Sequence, residues 1–360
     1  MATTIITIEP AKAGNSLTDS CQPETIAALT IPESAWQDGA LRGSVMADQH
    51  KLDSSYVFDP DMTGEVVECL LDGRHGLLTG APGAGKTSCV EQVCLRLGIP
   101  VFQFGCSAES TAEQFVGFND LTNGTTSWQS GPLCQACETA AAVGGNYPTK
   151  AVLLLDELDA ASSSVMVGLN RFLDCGLITA GGKVWHGDGV TVFATANTSG
   201  AGDESGNWQS RQPIDPAILN RMVNMPVDYM SAEAEAQVFA RMWSPMGGRP
   251  DDSQDTFGMM LAKALADVRE SWYNGELHQQ PISTRQACGI VRRWSHTDGS
   301  TWWKAVRGCC LGSTRGSSRD ALNDYRIVME AFGGVWPDSM AIVRDGFHKE
   351  VDRINDLLNK

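Results

Sequence analysis

The chain has 360 residues, of which 42% are hydrophobic and 19% charged, and its formal net charge is −16. This length suits two domains with buried cores, and no segment approaches the roughly 18 consecutive apolar residues that a membrane helix requires. The N-terminus lacks the basic and apolar regions of a secretory signal, so we expect a cytoplasmic protein, and the acidic charge argues against nonspecific binding to the polyanion nucleic acid.

The first segment of the chain differs in composition from the rest. Residues 1–45 are rich in Thr, Ser, Ala, Pro and Gly without steady periodicity, which predicts a flexible N-terminal arm with a short strand at Ile5–Ile8. The pattern changes after Tyr56. Val66–Gly73 has helical spacing and ends at a glycine, as helices often do. The apolar run Gly76–Gly80 predicts a strand that leads into a glycine-rich loop.

The glycine-rich loop fits the pattern G-x-x-x-x-G-K-S/T and lies between an apolar strand and a helix that ends at Leu97. Glycines allow successive backbone N–H groups to surround a phosphate, and the helix N-terminus adds partial positive charge. Lys86 would contact the β and γ phosphates, and Thr87 would offer its hydroxyl to Mg²⁺. A chance turn is the alternative, but the flanking elements favour ATP binding. The predicted binding residues are Gly80, Ala81, Pro82, Gly83, Ala84, Gly85, Lys86, Thr87 and Ser88.

Three further apolar runs, at Val101–Cys106, Ala151–Glu157 and Val190–Asn197, predict strands. The second run is unbroken until it ends in two acids, which is typical of a strand buried on both faces of a parallel sheet. Strands that alternate with helices indicate a doubly wound α/β domain, in which ligands bind at the carboxyl ends of the strands.

Three polar side chains at these strand ends are candidates for the chemistry of hydrolysis. Asp156 can hold Mg²⁺ through its water shell, and Glu157 can orient and polarise an attacking water. Solvation of a strand end is the alternative, but it does not explain two acids in a chain that already carries a phosphate loop. Asn197 can sense the γ phosphate without adding charge, although an amide at a strand end is often a simple turn residue.

Two arginines complete the predicted catalytic set. Arg221, in the segment IDPAILNRM, follows a helix that begins at a proline, from which it can reach the nucleotide of a neighbouring subunit. Arg285, in PISTRQ, opens a helix of the second domain with Ser283 or Thr284 as its cap, and can report the nucleotide state. A surface salt bridge is the alternative for each arginine.

The patterns along the chain predict four segments. After about Tyr229 the strand patterns give way to helical spacing. We therefore expect a nucleotide-binding α/β domain at residues 46–229 after the arm, a small all-α lid domain at 230–335, and a tail helix at 336–360.

The chain contains 11 cysteines. Cys134 and Cys137 have the spacing of a metal or redox pair, but a zinc site needs a second pair at suitable spacing, and the adjacent Cys309 and Cys310 are poor candidates. We expect these residues to be reduced and packed in the core.

The segments GAPGAGKTSCVEQVCLRL, LLLDELDA, FATANTSGAGDESG, DPAILNRM and PISTR, in this order, resemble the MoxR-like AAA+ ATPases. Within that family the sequence is similar to the ATPase subunits of aerobic cobaltochelatase (CobS) and their phage and bacterial relatives, over about residues 45–335. The resemblance implies an AAA+ P-loop fold with a helical lid, cofactors ATP and Mg²⁺, and a homo-oligomer in the form of a hexameric ring. It also implies that Arg221 acts in trans, on the nucleotide of a neighbour.

The resemblance further implies two β-hairpin insertions that face a central pore or a partner, at Phe115–Pro132 and Gly176–Gly189. The turn pairs Asn123-Gly124 and Gly181-Gly182 support both hairpins. The aromatic residues Phe118 and Trp185 are candidates for gripping a partner, although they could equally pack against the domain.

The sequence leaves several functions open. The leading hypothesis is a ring ATPase that remodels or activates a protein partner, which in this family often carries a von Willebrand A domain. A second is the ATPase subunit of a cobalt chelatase, although the chain contains no recognisable corrin or cobalt site. The acidic charge argues against a nucleic-acid motor, and the complete catalytic set argues against an inactive scaffold. One departure from the family is Cys106-Ser107, where a polar switch residue is expected.

Overall fold

The computed structural model describes residues 53, 56–122, 125–143, 148–198, 211–243, 252–278, 281–295, 302–310, 319–333 and 335, together with positions 6–7, 25–26, 356 and 358. The predicted arm and tail helix therefore fall mostly outside the described residues, as does the turn at residues 123–124. In the arm, the described residues Ile6–Thr7 pair antiparallel with Thr25–Ile26, within the strand predicted at Ile5–Ile8.

The chain divides into two compact units. The first contains Met1–Ser54, Phe58–Ala81 and Lys86–Asp228, and the second contains Ser55–Val57, Pro82–Gly85 and Tyr229–Lys360. Strands among the described residues all lie in the first unit. In chain order they are β1 (Ile6–Thr7), β2 (Thr25–Ile26), β3 (Gly76–Gly80), β4 (Val101–Gly105), β5 (Gly117–Thr122), β6 (Thr125–Ser130), β7 (Ala151–Asp156), β8 (Leu177–Ala180), β9 (Lys183–His186), β10 (Val190–Ala196) and β11 (Val223–Val227).

Helices occur in both units. The first unit contains α1 (Pro60–Asp72), α2 (Lys86–Leu97), α3 (Ala112–Val116), α4 (Pro132–Ala142), α5 (Ser163–Cys175) and α6 (Pro216–Leu219). The second contains α7 (Ala232–Trp243), α8 (Asp252–Tyr273), α9 (Thr284–Ser295), α10 (Trp302–Cys310) and α11 (Arg319–Gly333). Among the described residues, no helix combines the length and apolar character needed to cross a membrane.

The central sheet of the first unit has five strands in the order β11-β3-β10-β7-β4, all paired in parallel. The apolar residues of β7 and β10 are buried on both faces, which explains why these strands read as unbroken apolar runs. Because every strand runs in the same direction, the carboxyl ends of β3, β7 and β10 lie side by side along the carboxyl edge of the sheet. The predicted doubly wound α/β fold is confirmed.

The edge strand β11 is absent from the sequence prediction. Its sequence VNMPV contains Pro226, which cannot donate a hydrogen bond to a neighbouring strand. Among the described residues, β11 pairs with β3 alone in this sheet, so a proline is tolerated in this edge strand.

Helix α1 begins earlier than the predicted segment Val66–Gly73. The carboxylate of Asp59 accepts a hydrogen bond from the Met62 backbone N–H, and Pro60 occupies the first turn, where its missing N–H is not needed. The helix ends at Gly73, whose φ of 66° is left-handed, as predicted from the glycine.

The two predicted hairpin insertions are present, as β5–β6 and β8–β9. The turn of the second uses Gly181 and Gly182, both with positive φ, as a two-residue hairpin turn requires. A side chain at Gly181 would collide with the Trp128 ring, so this turn packs directly on the first hairpin. Phe118 is 48% exposed, whereas Trp185 is partly buried and its indole N–H donates to the Ala180 carbonyl at 3.2 Å. Trp185 therefore packs against its own unit.

The second unit is helical. Its apolar core is formed by residues from α7 to α11, including the fully buried Phe239 and Phe332. A buried ion pair joins Arg269 on α8 to both carboxylate oxygens of Glu235 on α7, at 2.9 Å each. The guanidinium also lies 3.8 Å from the centroid of the Tyr229 ring. The expected all-α domain is confirmed as a fold class.

The cysteines of the described residues are free thiols. Cys134 and Cys137 are buried in the core of the first unit, and burial raises the pKa of each thiol to about 12. Neutral thiols of this kind are suited to core packing. No cluster of three or more potential metal-ligating side chains occurs within the described part of the chain.

Candidate functional site

Lys86 lies at the start of α2, directly after the glycine loop. Its Nζ donates to the carbonyl oxygens of Gly80 at 2.7 Å and Ala81 at 2.9 Å, and to Asn197 Oδ1 at 3.1 Å. The ammonium is buried, and these three contacts are with neutral oxygens. The structure therefore brings together the predicted phosphate-binding lysine and the predicted sensor amide.

The glycines of the loop adopt conformations that other residues rarely reach. Gly83 has a φ of 75° and Gly85 a φ of 95°, both in the region that favours glycine. At Gly80 a built Cβ would lie 1.8 Å from the Val227 carbonyl oxygen, so β11 leaves no room for a side chain there. Glycines in such conformations, followed directly by the start of a helix, are typical of a phosphate-binding loop.

Arg285 lies beside Gly83 of the loop, and both of these residues belong to the second unit. A Cβ built on Gly83 would lie 2.7 Å from the Ser283 Cβ and 3.4 Å from the Arg285 Cβ. The Ser283 hydroxyl accepts a hydrogen bond from the backbone N–H of Gln286, so the cap of α9 is Ser283 and not Thr284. The Arg285 side chain itself is exposed.

Thr87 and Asp156, the two predicted metal-binding residues, are in direct contact. The Thr87 hydroxyl donates to Asp156 Oδ1 at 2.7 Å. The same carboxylate oxygen accepts a hydrogen bond from the Thr195 hydroxyl at 2.6 Å. A hydroxyl and a carboxylate are oxygen ligands of the kind that Mg²⁺ prefers, so this pair can hold the metal directly or through its water shell.

Thr195 is not among the residues predicted from the sequence to form the site. Its hydroxyl also accepts the backbone N–H of Glu157 at 3.0 Å, so one buried side chain fixes both acids of the strand end. The sequence offered one indication of this role, a threonine near the end of the predicted apolar strand Val190–Asn197. The pairing of β10 with β7 is needed to place it there.

Glu157 has an unusual backbone. It is the one non-glycine residue with positive φ among the described residues, at φ 59° and ψ 50°. Such a conformation costs roughly 1–3 kcal/mol and is typically found at functional sites. The strand β7 ends at this point and a short 3-10 turn, Leu158–Ala160, follows. The Glu157 side chain is 49% exposed and so is accessible to water.

Asp159 is a third acid of this segment, and its role was also overlooked. Its side chain is 0% exposed, and Oδ2 accepts the backbone N–H groups of Asn197 at 3.0 Å and Thr198 at 3.2 Å. Its Oδ1 accepts a hydrogen bond from Arg211 Nη1 at 2.9 Å. Asp159 thus fixes the backbone position of the predicted sensor residue.

Arg221 lies directly after α6 and makes contacts separate from those of the loop. Its guanidinium donates to Asp174 Oδ1 at 2.6 Å, to the Ala217 carbonyl at 2.6 Å and to Asn170 Oδ1 at 3.3 Å. The hydrogen bond from Arg221 to Asp174 and the positive charge of Arg221 both lower the pKa of the Asp174 carboxyl. None of these contacts joins Arg221 to the group around Lys86 and Asp156.

The parallel α/β sheet and the group of polar side chains at its carboxyl edge are those of a P-loop nucleoside triphosphatase. Residues 75–222 match the family model of the AAA domain (dynein-related subfamily). This segment is therefore similar to the AAA+ ATPases, and the sequence relatives, at modest identity, fit the resemblance of the chain to the MoxR-like group. An AAA domain implies nucleotide binding and ATP hydrolysis.

Two sequence relatives illustrate the similarity. The aerobic cobaltochelatase subunit CobS of Sinorhizobium sp is 26% identical over 236 residues, which cover 63% of this chain and 67% of CobS. Protein NorQ of Paracoccus denitrificans is 27% identical over 230 residues, which cover 62% of this chain and 75% of NorQ. Among solved structures, the Thermotoga maritima RuvB Holliday junction branch migration motor has a TM-score of 0.46 and 12% identity, covering 85% of this chain and 87% of RuvB.

Replacement of Thr195 by Val tests its contacts with the two acids. The change keeps the shape but removes the hydroxyl, which leaves the Glu157 N–H unsatisfied and is expected to lower stability by about 1–3 kcal/mol. If Asp156 holds Mg²⁺ as predicted, loss of the hydroxyl that orients its carboxylate is also expected to weaken ATPase activity by about 10–100-fold. Urea unfolding and ATPase assays across Mg²⁺ concentrations measure both effects. Thr195→Ser retains the hydroxyl and is the control; equal defects in both variants would contradict the role of the hydrogen bonds.

Proposed function

We propose that this chain is a Mg²⁺-dependent ATPase that works in a hexameric ring to remodel or activate a protein partner. The observation that carries the proposal is the meeting of Lys86, Asn197, Thr87 and Asp156 at one edge of the sheet. Lys86 holds the β and γ phosphates, Asn197 senses the γ phosphate, and Glu157 orients the attacking water and accepts its proton.

The backbone of residues 80–88 binds the phosphates of ATP, and Thr87 and Asp156 hold Mg²⁺. The bound metal supplies charge that stabilises the transferring phosphoryl group. The contact between Thr87 and Asp156 supports this assignment because the two oxygens lie 2.7 Å apart. Ser88, the next residue of α2, completes the loop.

Arg221 acts in trans on the nucleotide of a neighbouring subunit, and Arg285 relates the nucleotide state to the helical unit. The exposed position of Arg285 beside Gly83 supports the second role. For Arg221, its partly exposed side chain and its separation from the loop of its own chain support a role at a neighbour's site.

The hairpins supply the surface for the partner. Phe118, Leu121 and Val184, on these two hairpins, are exposed large apolar residues. Exposed apolar residues on adjacent projections are typical of protein-binding sites. MoxR-like proteins commonly assemble into oligomers and act with partner proteins, and a partner with a von Willebrand A domain fits this pattern. Phe118 is a gripping residue in this proposal, and Trp185 is a packing residue.

A trapped complex tests the proposal. Glu157→Gln, loaded with ATP and Mg²⁺, is expected to retain a partner that copurifies on affinity-tagged protein, because the site cannot proceed to hydrolysis. The matched control is the same variant with Lys86→Ala, which loses the phosphate contact and should release the partner. A further variant, Phe118→Ala in the trap, should reduce capture while ATP binding is kept. Equal capture by the trap and the Lys86→Ala control would contradict ATP-dependent action on a partner.

The similarity to CobS supports a second candidate function, the ATPase subunit of a cobalt chelatase. In that case the trapped complex should contain the other chelatase proteins, and the reconstituted mixture should insert cobalt in an ATP-dependent manner. A partner without any chelatase activity favours the general remodelling function. Stimulation of the ATPase by DNA would instead favour a nucleic-acid motor, which the charge of −16 argues against.

A further inference from the structure

Arg211 contacts two carboxylates of the acidic segment after β7. Its Nη2 donates to Glu157 Oε2 and its Nη1 donates to Asp159 Oδ1, each at 2.9 Å. We propose that Arg211 is a positioning residue for Glu157, which holds the carboxylate of the catalytic base in its working orientation. This inference rests on the proposed ATPase function.

The guanidinium of Arg211 is attached to a fixed group. The side chain of Arg211 is 9% exposed and that of Asp159 is 0% exposed. The other oxygen of Asp159 is held by two backbone N–H groups and by the Thr198 hydroxyl. The backbone N–H of Gln212 in turn donates to the Asp159 carbonyl, which ties the chain beside Arg211 to the same turn. The Nη1 side of the Arg211 guanidinium is therefore held by the buried Asp159, while Nη2 contacts Glu157.

Glu157, by contrast, is half exposed and depends on Arg211 for its orientation. Among the described residues, Arg211 is the one side chain that donates a hydrogen bond to the Glu157 carboxylate. A glutamate without such a partner samples several rotamers, whereas a base must lie within hydrogen-bond distance of the water it activates. Arg211 also links this base to Asn197, because Asp159 binds both the guanidinium and the Asn197 backbone.

The segment after β4 does not supply this contact. Cys106 is buried, and its backbone N–H donates to the Asp156 carbonyl. The hydroxyl of Ser107 bonds to that of Ser110, within its own turn. Among the described residues, the side-chain contact to the Glu157 carboxylate therefore comes from an arginine elsewhere in the chain and not from Cys106-Ser107.

The shape of arginine is required for two contacts at once. Its planar group directs several N–H donors along fixed directions, so it can bind two separate carboxylates, whereas the compact ammonium of a lysine cannot hold both in the same geometry. Arg211→Lys therefore keeps a positive charge for the buried Asp159 while it releases Glu157. The variant therefore tests the positioning of Glu157 while the charge balance around the buried Asp159 is kept.

Arg211→Lys is expected to lower kcat for ATP hydrolysis by about 10–100-fold, the effect of a misplaced catalytic group, with KM for ATP changed by less than about twofold. The apparent Tm should stay close to that of wild type. Arg74→Lys is the matched control, since Arg74 pairs with Asp72 on the surface of the same unit, and its kinetics should be unchanged. If Arg211→Lys does not fold, Arg211→Gln combined with Asp159→Asn removes both buried charges, and it should fold and show the same loss of kcat.

A double variant shows whether Arg211 acts through Glu157. Glu157→Gln with Arg211→Lys should hydrolyse ATP no more slowly than Glu157→Gln alone, because a residue that only positions the base has no effect once the base is gone. An unchanged or higher kcat in folded Arg211→Lys, a rise in KM that accounts for the loss, or a further loss in the double variant would each overturn the inference. Failure of the proposed function looks different: wild type would not hydrolyse ATP, or Glu157→Gln would be as active as wild type.

Discussion

Glu157→Gln is expected to bind ATP with near wild-type affinity while its hydrolysis falls by about 10²–10⁴-fold, the typical contribution of a positioned base. Binding is kept because the contacts assigned to phosphate and metal come from Lys86, Thr87 and Asp156. Glutamine has the same shape as glutamate, but its amide cannot accept the proton of the attacking water. Calorimetry with ATP and Mg²⁺ measures binding, and phosphate release under saturating ATP measures kcat.

The stability of this variant should change little. The pair between Glu157 and Arg211 involves a glutamate that is 49% exposed, and such pairs contribute about 0–1 kcal/mol. Glu68→Gln, an exposed position on α1, is the matched control and should behave as wild type in both assays. Turnover by Glu157→Gln at the wild-type rate would refute the assignment of the catalytic base.

The main sheet of the first unit was largely predictable from local sequence. The starts of β3, β4, β7 and β10 match the predicted runs, and their ends agree within one residue. Apolar runs define these strands because both faces of the sheet are covered. The prediction that Asp156 and Asn197 lie at one edge follows from the parallel direction of the strands. The strand β11 could not be recognised in this way because Pro226 is compatible only with an edge position.

The contacts that hold the site were less predictable. Arg211 lies 54 positions from Glu157 in sequence, and Thr195 lies 39 positions from Asp156. Neither pair has a local spacing that indicates contact, because their proximity depends on how the segments after β7 and β10 fold together. The third acid, Asp159, is part of the motif LLLDELDA, but its burial could not be inferred from three acids in four residues. Solvation at the surface would have been the simpler interpretation.

Replacement of Arg221 by Ala is expected to lower hydrolysis by about 10³–10⁵-fold if this arginine stabilises the transferring phosphoryl group of a neighbour. The ion pair between Arg221 and Asp174 holds the arginine only weakly. Asp174 is an exposed carboxylate, and such pairs contribute about 0–1 kcal/mol to stability. Asp174→Asn is therefore the matched control. This variant removes the negative charge that pairs with Arg221, and its kcat should stay within about twofold of wild type. A loss in Asp174→Asn equal to that in Arg221→Ala would indicate a structural ion pair instead.

Mixed rings distinguish action in trans from action within one chain. An Arg221→Ala subunit keeps an intact phosphate loop, and a Lys86→Ala subunit keeps an intact arginine. Where the phosphate loop of an Arg221→Ala subunit faces the Arg221 of a Lys86→Ala subunit, that interface contains both Lys86 and Arg221. Mixtures should therefore recover activity that neither variant has alone. Activity should pass through a maximum as the ratio changes, because rings of one type contain no complete site. If both variants assemble and no ratio restores phosphate release, Arg221 does not act on a neighbour's nucleotide.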